Sequence, residues 1–62
     1  MDSAIIKFFT YDHLPQKLQL VSKPFCDLAH FIEVTFPSGP EKSAGLRKLL
    51  EAKDCIVRAA LS

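Results

Sequence analysis

A short segment of turn-forming residues, Phe36-Pro37-Ser38-Gly39-Pro40, divides the chain. Proline disfavours helix at the residue before it, and proline with glycine marks a loop. Ser38 is followed three residues later by Glu41, which is the spacing of a capping box. This pattern predicts Ser38 as the N-cap of a helix that has Pro40 in its first turn. The segment therefore predicts a tight connection between two elements.

Apolar residues before this loop recur at spacings of 3, 4, 3 and 4, namely Leu18, Val21, Phe25, Leu28 and Ile32. This period predicts a first helix over residues 15–35, with Pro15 in its first turn. Pro24 leaves two alternatives, because an interior proline removes one backbone hydrogen bond and clashes with the preceding turn. One is a single helix kinked near residues 20–24, which we favour, and the other is a short turn followed by a helix from Ser22.

Apolar residues after the loop also recur at helical spacing and predict a second helix over residues 39–61. They are Leu46, Leu49, Leu50, Ile56, Val57, Ala60 and Leu61. Two long helices joined by so short a loop must be antiparallel neighbours. Lys53 falls within the apolar row of the second helix. Either its stem packs while the amine reaches solvent, or the amine faces a polar pocket shared between subunits.

The N-terminal segment, residues 1–14, is rich in β-branched and aromatic residues without helical spacing. This composition predicts an extended arm or a brief strand. Residues 1–62 then form a single domain. The predicted fold class is all-α, an antiparallel two-helix hairpin with a short extended N-terminal arm.

A chain of 62 residues buries only about 60% of its unfolded surface, so its core needs support. Cys26 and Cys55 lie within apolar-periodic stretches, which predicts small buried hydrophobic residues and not a disulfide scaffold. His13 and His30 lack the spacing of zinc ligands. Further apolar residues on the first helix lie outside its main row, and small residues on the second helix allow another backbone to approach. These residues are Leu14, Leu20, Phe31 and Phe36, and Ala44, Gly45, Ala52 and Ala59. We therefore expect a homo-oligomeric helical bundle.

Charge and motifs exclude several classes of function. The formal net charge of +1 is too small for a protein that binds nucleic-acid polymers through a basic stripe. We expect no membrane span, because no apolar run approaches 18 residues. The serines and glycines form neither a nucleophile elbow nor a phosphate-binding loop, so we expect a protein that is not an enzyme and has no cofactor. The mild basic excess after residue 41 would suit a small anion.

One aromatic residue followed by cations forms the set of candidate ligand-binding residues: Tyr11, His13, Lys17, Lys23, Lys42 and Arg47. An exposed aromatic ring stacks on a nucleobase, while lysine and arginine donate to phosphate oxygens. The alternative is that Tyr11 packs and the cations lie on solvated helix faces. Arg47 and Glu51, four residues apart, would then form an ordinary helix pair.

Several motifs together resemble the small helical-hairpin proteins of tailed phages. They are Phe9-Thr10-Tyr11 with Pro15 shortly after, Asp27-Leu28-Ala29, the proline-containing loop, Glu41-Lys42-Ser43, Leu46, Lys48-Leu49, Glu51-Ala52 and Ala59. The family includes the anti-CBASS sponges and shares its hairpin with the anti-Thoeris sponges. The resemblance covers residues 9–61.

The resemblance implies a non-enzymatic protein of immune evasion that acts in the cytoplasm of the infected bacterial host. Members assemble into a homo-oligomer, a hexamer in the best-known cases, and sequester cyclic di- or trinucleotides in pockets between protomers. By position, Tyr11 matches the aromatic residue expected near a base, and Lys23 resembles the basic residue expected near phosphate. Cys55 stands where a tryptophan is common in the family. The alternative function is a helical-hairpin oligomer that mediates protein–protein interaction or assembly.

Overall fold

The computed structural model describes residues 4–61, which form three helices. A 3₁₀ helix spans Ala4–Phe9, α1 spans Gln16–Thr35 and α2 spans Pro40–Leu61, and these residues contain no strand. Helices of 20 and 22 residues are about 30 and 33 Å long. Since the molecule is 35 Å along its longest axis, the two helices lie side by side and antiparallel. The all-α hairpin is therefore as predicted.

The N-terminal segment differs from the predicted extended arm, because residues 4–9 form a 3₁₀ helix. Three residues per turn place Ile6 and Phe9 on one face, and this face packs on the hairpin. Phe9 is fully buried, and Thr10 donates from Oγ1 to the Lys7 carbonyl at 2.9 Å where the helix ends. An isolated strand would have no sheet partner in this chain, whereas the 3₁₀ helix satisfies its own backbone. Residues 1–3 of the predicted arm lie outside the described residues.

Helix α1 is continuous through Pro24, so the alternative of a turn followed by a helix from Ser22 is wrong. Pro24 and Leu20 are both exposed, and Pro24 has no N–H to donate to the Leu20 carbonyl. Pro15 precedes the helix, and its carbonyl accepts from Leu18 and Gln19. At the other end, Phe36 is extended, as a residue before proline prefers to be.

Helix α2 begins at Pro40, so Gly39 and not Ser38 occupies the position before the first helical residue. The Gly39 carbonyl accepts from the Ser43 N–H at 3.0 Å. Within the described residues, no hydrogen bond involves the Ser38 side chain, which is exposed. The predicted capping box is therefore wrong, because Pro40 as the first helical residue shifts the helix start by one position.

The core combines residues of all three elements: Phe9, Cys26, Ala29 and Leu46. The row of α1 that faces this core contains Leu18, Ser22, Cys26 and Ala29, whose mostly small side chains let Phe9 approach closely. In the apolar row predicted for α1, Leu18 is buried, but Val21, Phe25 and Ile32 are only half-buried and Leu28 is exposed.

Two further predictions about burial have different outcomes. Cys26 is buried as predicted, but Cys55 is exposed, because nine residues at 100° each place it on the face of α2 opposite Leu46. The wide apolar arc of α1 does remain uncovered by its own chain. Leu20, Phe31 and Phe36 are exposed, and the rings of Phe31 and Phe36 meet edge to face at 6.4 Å.

Candidate functional site

Tyr11 lies just after the 3₁₀ helix, in the turn that leads into α1. Its side chain is half-buried and packs against the core, and its carbonyl accepts from the Leu14 N–H at 3.0 Å. One part of the ring is therefore held by packing while another part remains accessible. An aromatic ring fixed in this way offers a stacking surface that needs little further ordering.

Lys23 is a candidate cation on α1 whose pKa is affected by Tyr11. Its ammonium donates to Asp27 Oδ2 at 2.8 Å, and both side chains are more than half exposed. The hydrogen bond and the charge of Asp27 raise the pKa of Lys23, with a smaller contribution from Tyr11. Lys23 is thus a surface cation within electrostatic range of Tyr11, and its ammonium is already bound by one carboxylate, Asp27.

His13 and Lys17 are both exposed, and they flank the start of α1. The turn that carries His13 is fixed by Gln19, whose Nε2 donates to the carbonyls of Asp12 and Leu14 at 3.3 and 2.7 Å. Sequence reasoning missed this role of Gln19, although a long amide side chain after a turn is a usual donor to free carbonyls. Lys17 and Lys23 are six positions apart, which places them about 120° apart around α1, so the two cations do not share a face.

Lys42 has a structural role at the hairpin turn. Its ammonium donates to the Glu33 carbonyl at 3.0 Å, to Glu33 Oε1 at 2.9 Å and to the Phe36 carbonyl at 2.8 Å. The Lys42 and Glu33 side chains are only 7% and 8% exposed. All three ammonium hydrogens are therefore occupied, two of them by carbonyls at the C-terminal end of α1, where a cation is favourable.

Arg47 is exposed on α2 and lines a pocket of about 220 Å³ with Ala4, Ile5 and Ser43. In the part of the chain that the structure describes, Arg47 forms no ion pair with Glu51, contrary to the helix pairing considered above. The guanidinium is therefore available. It lies in a pocket separate from Tyr11 and Lys23, between the 3₁₀ helix and α2.

Two further polar side chains, Lys53 and Ser22, lie in the interior. Lys53 is 9% exposed, and its ammonium donates to the Phe8 carbonyl at 2.7 Å. The amine thus reaches neither solvent nor an open pocket, and it attaches α2 to the 3₁₀ helix. Ser22 is fully buried, and its hydroxyl has no hydrogen-bond partner. No sequence pattern predicts its burial, because Ser22 lies outside the apolar row of α1.

The thiols differ in their surroundings. Burial raises the pKa of the Cys26 thiol, and the charges of Asp27 and Asp12 add to the effect, so this thiol stays protonated at neutral pH. Cys55 is exposed, and Arg58 donates to its sulfur at 3.4 Å. Among residues 4–61 no group of three or more histidine, cysteine or acidic side chains is placed to hold a metal ion.

The larger cavity is an apolar groove of about 510 Å³ at the hairpin turn. Ile32 and Phe36 line it from the α1 side, and Lys42 and Gly45 line it from α2. None of the predicted ligand residues except Lys42 reaches this groove, and Lys42 is held by its structural contacts. Of the predicted ligand residues, Lys23 lies within electrostatic range of Tyr11, whereas Arg47 and Lys42 line two separate pockets.

Within residues 4–61, neither long helix has the length of apolar sequence needed to cross a lipid bilayer. Comparison with known proteins gives no relative to set beside this geometry. No protein-family model, no curated protein and no solved structure matches the chain.

Proposed function

We propose that this protein is a non-enzymatic sponge that sequesters cyclic di- or trinucleotides between the protomers of a homo-oligomer. The observation that supports it is that Tyr11, a half-buried aromatic residue, and Lys23, an exposed cation, lie within electrostatic range of each other. A ring and a cation side by side match a base and the phosphate next to it. The proposal also rests on the resemblance to the anti-CBASS and anti-Thoeris sponges, which implies a hexamer and action in the cytoplasm of an infected bacterium.

The mechanism is binding without reaction. A base stacks on the accessible part of Tyr11, and the Lys23 ammonium turns from Asp27 to a phosphate oxygen. Because the Lys23–Asp27 pair is exposed and its partners are four residues apart on one helix, its loss costs little. A charge-assisted bond to phosphate then replaces it.

The remaining cations act from other protomers in this proposal. His13, Lys17 and Arg47 are exposed. Arg47 lines the pocket at the start of the 3₁₀ helix, and Lys17 lies about 120° from Lys23 around α1. Symmetric assembly brings such residues from neighbouring copies around one ligand. Lys42 is left out of the binding set, since its ammonium is fully engaged with Glu33 and Phe36.

Calorimetric titration of the purified protein with cyclic di- and trinucleotides tests the proposal, with the linear dinucleotide as the control ligand. We expect stoichiometric binding and a higher melting temperature, since ligand at 100 times its Kd stabilises the fold by about 2.7 kcal/mol. Failure of every cyclic nucleotide to bind at millimolar concentration would overturn the proposal.

Matched variants test which residues contact the ligand. Tyr11→Leu keeps apolar packing but removes stacking and should weaken binding about tenfold or more, whereas Tyr11→Phe should retain it. Lys23→Gln should weaken binding about tenfold and flatten its salt dependence. Asp27→Asn frees Lys23 and should tighten binding about twofold. Equal affinities in all four variants would show that the ligand lies elsewhere.

A second candidate function is protein–protein interaction or assembly, and the uncovered apolar surface of α1 favours it. Val34 is 82% exposed and Leu20 is 72% exposed, which is unusual for large apolar side chains in a chain with so little core. This candidate predicts no affinity for cyclic nucleotides and a saturable complex with a protein partner, so the same titration separates the two.

A further inference from the structure

Helix α2 carries a second heptad row beside the one that faces the core. The core-facing row contains Leu46, Leu50, Lys53, Val57 and Ala60, at spacings of 4, 3, 4 and 3. The outer row has the same spacings, and its members are Gly45, Leu49, Ala52, Ile56 and Ala59. All of the outer row is exposed except the half-buried Leu49. Two adjacent heptad rows are typical of a helix that is contacted on two sides. Within residues 4–61, α1 and the 3₁₀ helix both pack against α2, and the bond from Lys53 to Phe8 places the 3₁₀ helix at the core-facing row.

The outer row lies on the side of the hairpin away from the 3₁₀ helix. Counting 100° per residue, Ser43 and Arg47 lie on one side of Leu46, and Gly45 and Ala52 lie on the other. Ser43 and Arg47 share a pocket with the start of the 3₁₀ helix, which fixes that side as the covered one. The outer row of α2 therefore faces away from the only element that packs across the hairpin within residues 4–61.

Helix α1 has a matching outer row: Val21, Phe25, Leu28 and Ile32. In α1, Cys26 and Leu28 lie on opposite sides of Ala29, and Cys26 belongs to the buried cluster that contains Phe9, whereas Leu28 is exposed. Because the two helices are antiparallel, these flanks lie on the same side of the hairpin. The groove at the turn, lined by both Ile32 and Gly45, opens there. The two outer rows together form one surface, called here the outer face.

The outer face has a raised half and a recessed half. The α1 row consists of large side chains, while every second contact position of the α2 row is glycine or alanine, at Gly45, Ala52 and Ala59. A Cβ added at Gly45 would meet no atom within 4 Å, so the hairpin itself does not require glycine there. Glycine is a poor helix former, and its place in α2 is explained by close approach of another helix.

We propose that a second copy of this chain covers the outer face, with the large α1 row of each copy against the small α2 row of the other. A two-fold interface must be self-complementary, and a face with one raised and one recessed half meets this condition. The resulting contact joins two hairpins into a four-helix bundle. The 3₁₀ helices lie on its outside.

The size of the outer face agrees with this occupant. The molecule measures 35 Å along its length, and its two shorter extents are 18 and 15 Å. One whole side is therefore of the size that a stable interface needs, roughly 800 Å² per partner. The outer rows carry no charged residue, so an acidic or basic partner finds no complement on them. The inference specifies the interface of the proposed sponge, but it does not depend on any ligand.

Light scattering after size exclusion tests the interface with one substitution made at two places on α2. Ala52→Glu puts a carboxylate on the outer face, and Ala44→Glu puts the same group on an exposed site outside both rows. We expect the wild type and Ala44→Glu to elute as the same multiple of 6.9 kDa at micromolar concentration. We expect Ala52→Glu to dissociate while circular dichroism shows retained helix. A monomeric wild type, or Ala52→Glu with unchanged mass, would overturn the proposal.

Cross-linking gives an answer that does not depend on how well Ala52→Glu folds. In a Cys55→Ser background, a chain with Leu28→Cys is mixed with a chain with Ala52→Cys, and a short bis-maleimide is added. We expect covalent heterodimers from this mixture and none when Ala44→Cys replaces Ala52→Cys. Equal yields from both mixtures would contradict the arrangement. Nucleotide titration of the same samples separates the outcomes, since loss of ligand binding with cross-linking intact refutes only the sponge.

Discussion

The ammonium of Lys53 lies 2.7 Å from the carbonyl oxygen of Phe8, and this bond joins α2 to the 3₁₀ helix across 45 positions of sequence. Lys53 is almost fully buried, and the described residues provide it with no carboxylate. Its charge is therefore held by a carbonyl at the end of a short helix, where the backbone dipoles favour a cation. The position of the 3₁₀ helix depends on this contact and on the burial of Phe9.

Lys53→Met should loosen the 3₁₀ helix without unfolding the hairpin. Methionine keeps the packing of the stem and removes the ammonium, so the Phe8 carbonyl loses its partner. We expect the amides of the 3₁₀ helix to exchange about tenfold faster, measured by hydrogen exchange, with little change in α1 and α2. Lys48→Met, at an exposed position of the same helix, is the control. Unchanged exchange in Lys53→Met would show that Phe9 alone holds the 3₁₀ helix.

Lys42→Met should reduce stability strongly. The change removes a nearly buried ion pair and two bonds to carbonyls at the end of α1, and it leaves the Glu33 carboxylate without this cation. Breaking such a pair costs about 3 kcal/mol or more. Urea unfolding followed by circular dichroism measures the loss, and Lys48→Met should lie within about 0.5 kcal/mol of the wild type. A comparably small loss in Lys42→Met would argue against the structural role of Lys42.

Ser22→Ala should stabilise the protein. The Ser22 hydroxyl is fully buried without a hydrogen-bond partner, and such a group carries a desolvation cost of about 1–3 kcal/mol. Alanine removes the hydroxyl and is also a better helix former. We expect a gain of about 1 kcal/mol in urea unfolding. Ser38→Ala, which alters an exposed side chain at the turn, should change nothing measurable. A less stable Ser22→Ala would mean that the hydroxyl has a partner in solution.

Cys26 should contribute a loss of stability at alkaline pH. Burial raises the pKa of its thiol in the folded state, so the folded protein keeps this proton at pH values where the unfolded chain releases it. The contribution of this group to the free energy of unfolding is unchanged below the ordinary thiol pKa of 9.0, and it decreases as the pH rises above that value. Urea unfolding between pH 7 and 10 should show a smaller decline in Cys26→Ala than in the wild type. Parallel declines would contradict the raised pKa.

Helix period and turn chemistry were sufficient to predict the hairpin, because Pro37 to Pro40 and the heptad spacing act locally. The same patterns misplaced the row of α1 that faces the core. Helical spacing identifies an apolar stripe, but it does not show which side of that stripe packs against the rest of the chain. Ser22 and Ala29 are fully buried here, and Ala29 belongs to the same core cluster as Phe9. That contact depends on a long-range docking of the 3₁₀ helix, which residue preferences alone do not reveal.

The candidate site, like the fold, could be predicted only in part from the sequence. Tyr11 and Lys23 lie close enough to influence each other, as expected for residues on either side of one turn. The ion pair between Lys42 and Glu33 could not be predicted from the sequence. Glu33 lies nine positions before Lys42, and the geometry of the loop between them determines whether the two side chains meet. The position of Arg47 depends likewise on where the 3₁₀ helix docks.

The Glu33–Lys42 pair also bears on the order in which the chain folds. Its partners are nine residues apart, so the loop that it closes is short and forms on a timescale of about 10–100 ns. The Lys53–Phe8 contact closes a loop of 45 residues and carries a larger entropy cost. We expect the turn to form in the folding transition state and the 3₁₀ helix to dock afterwards. Lys42→Met would then slow folding, whereas Lys53→Met would mainly speed unfolding.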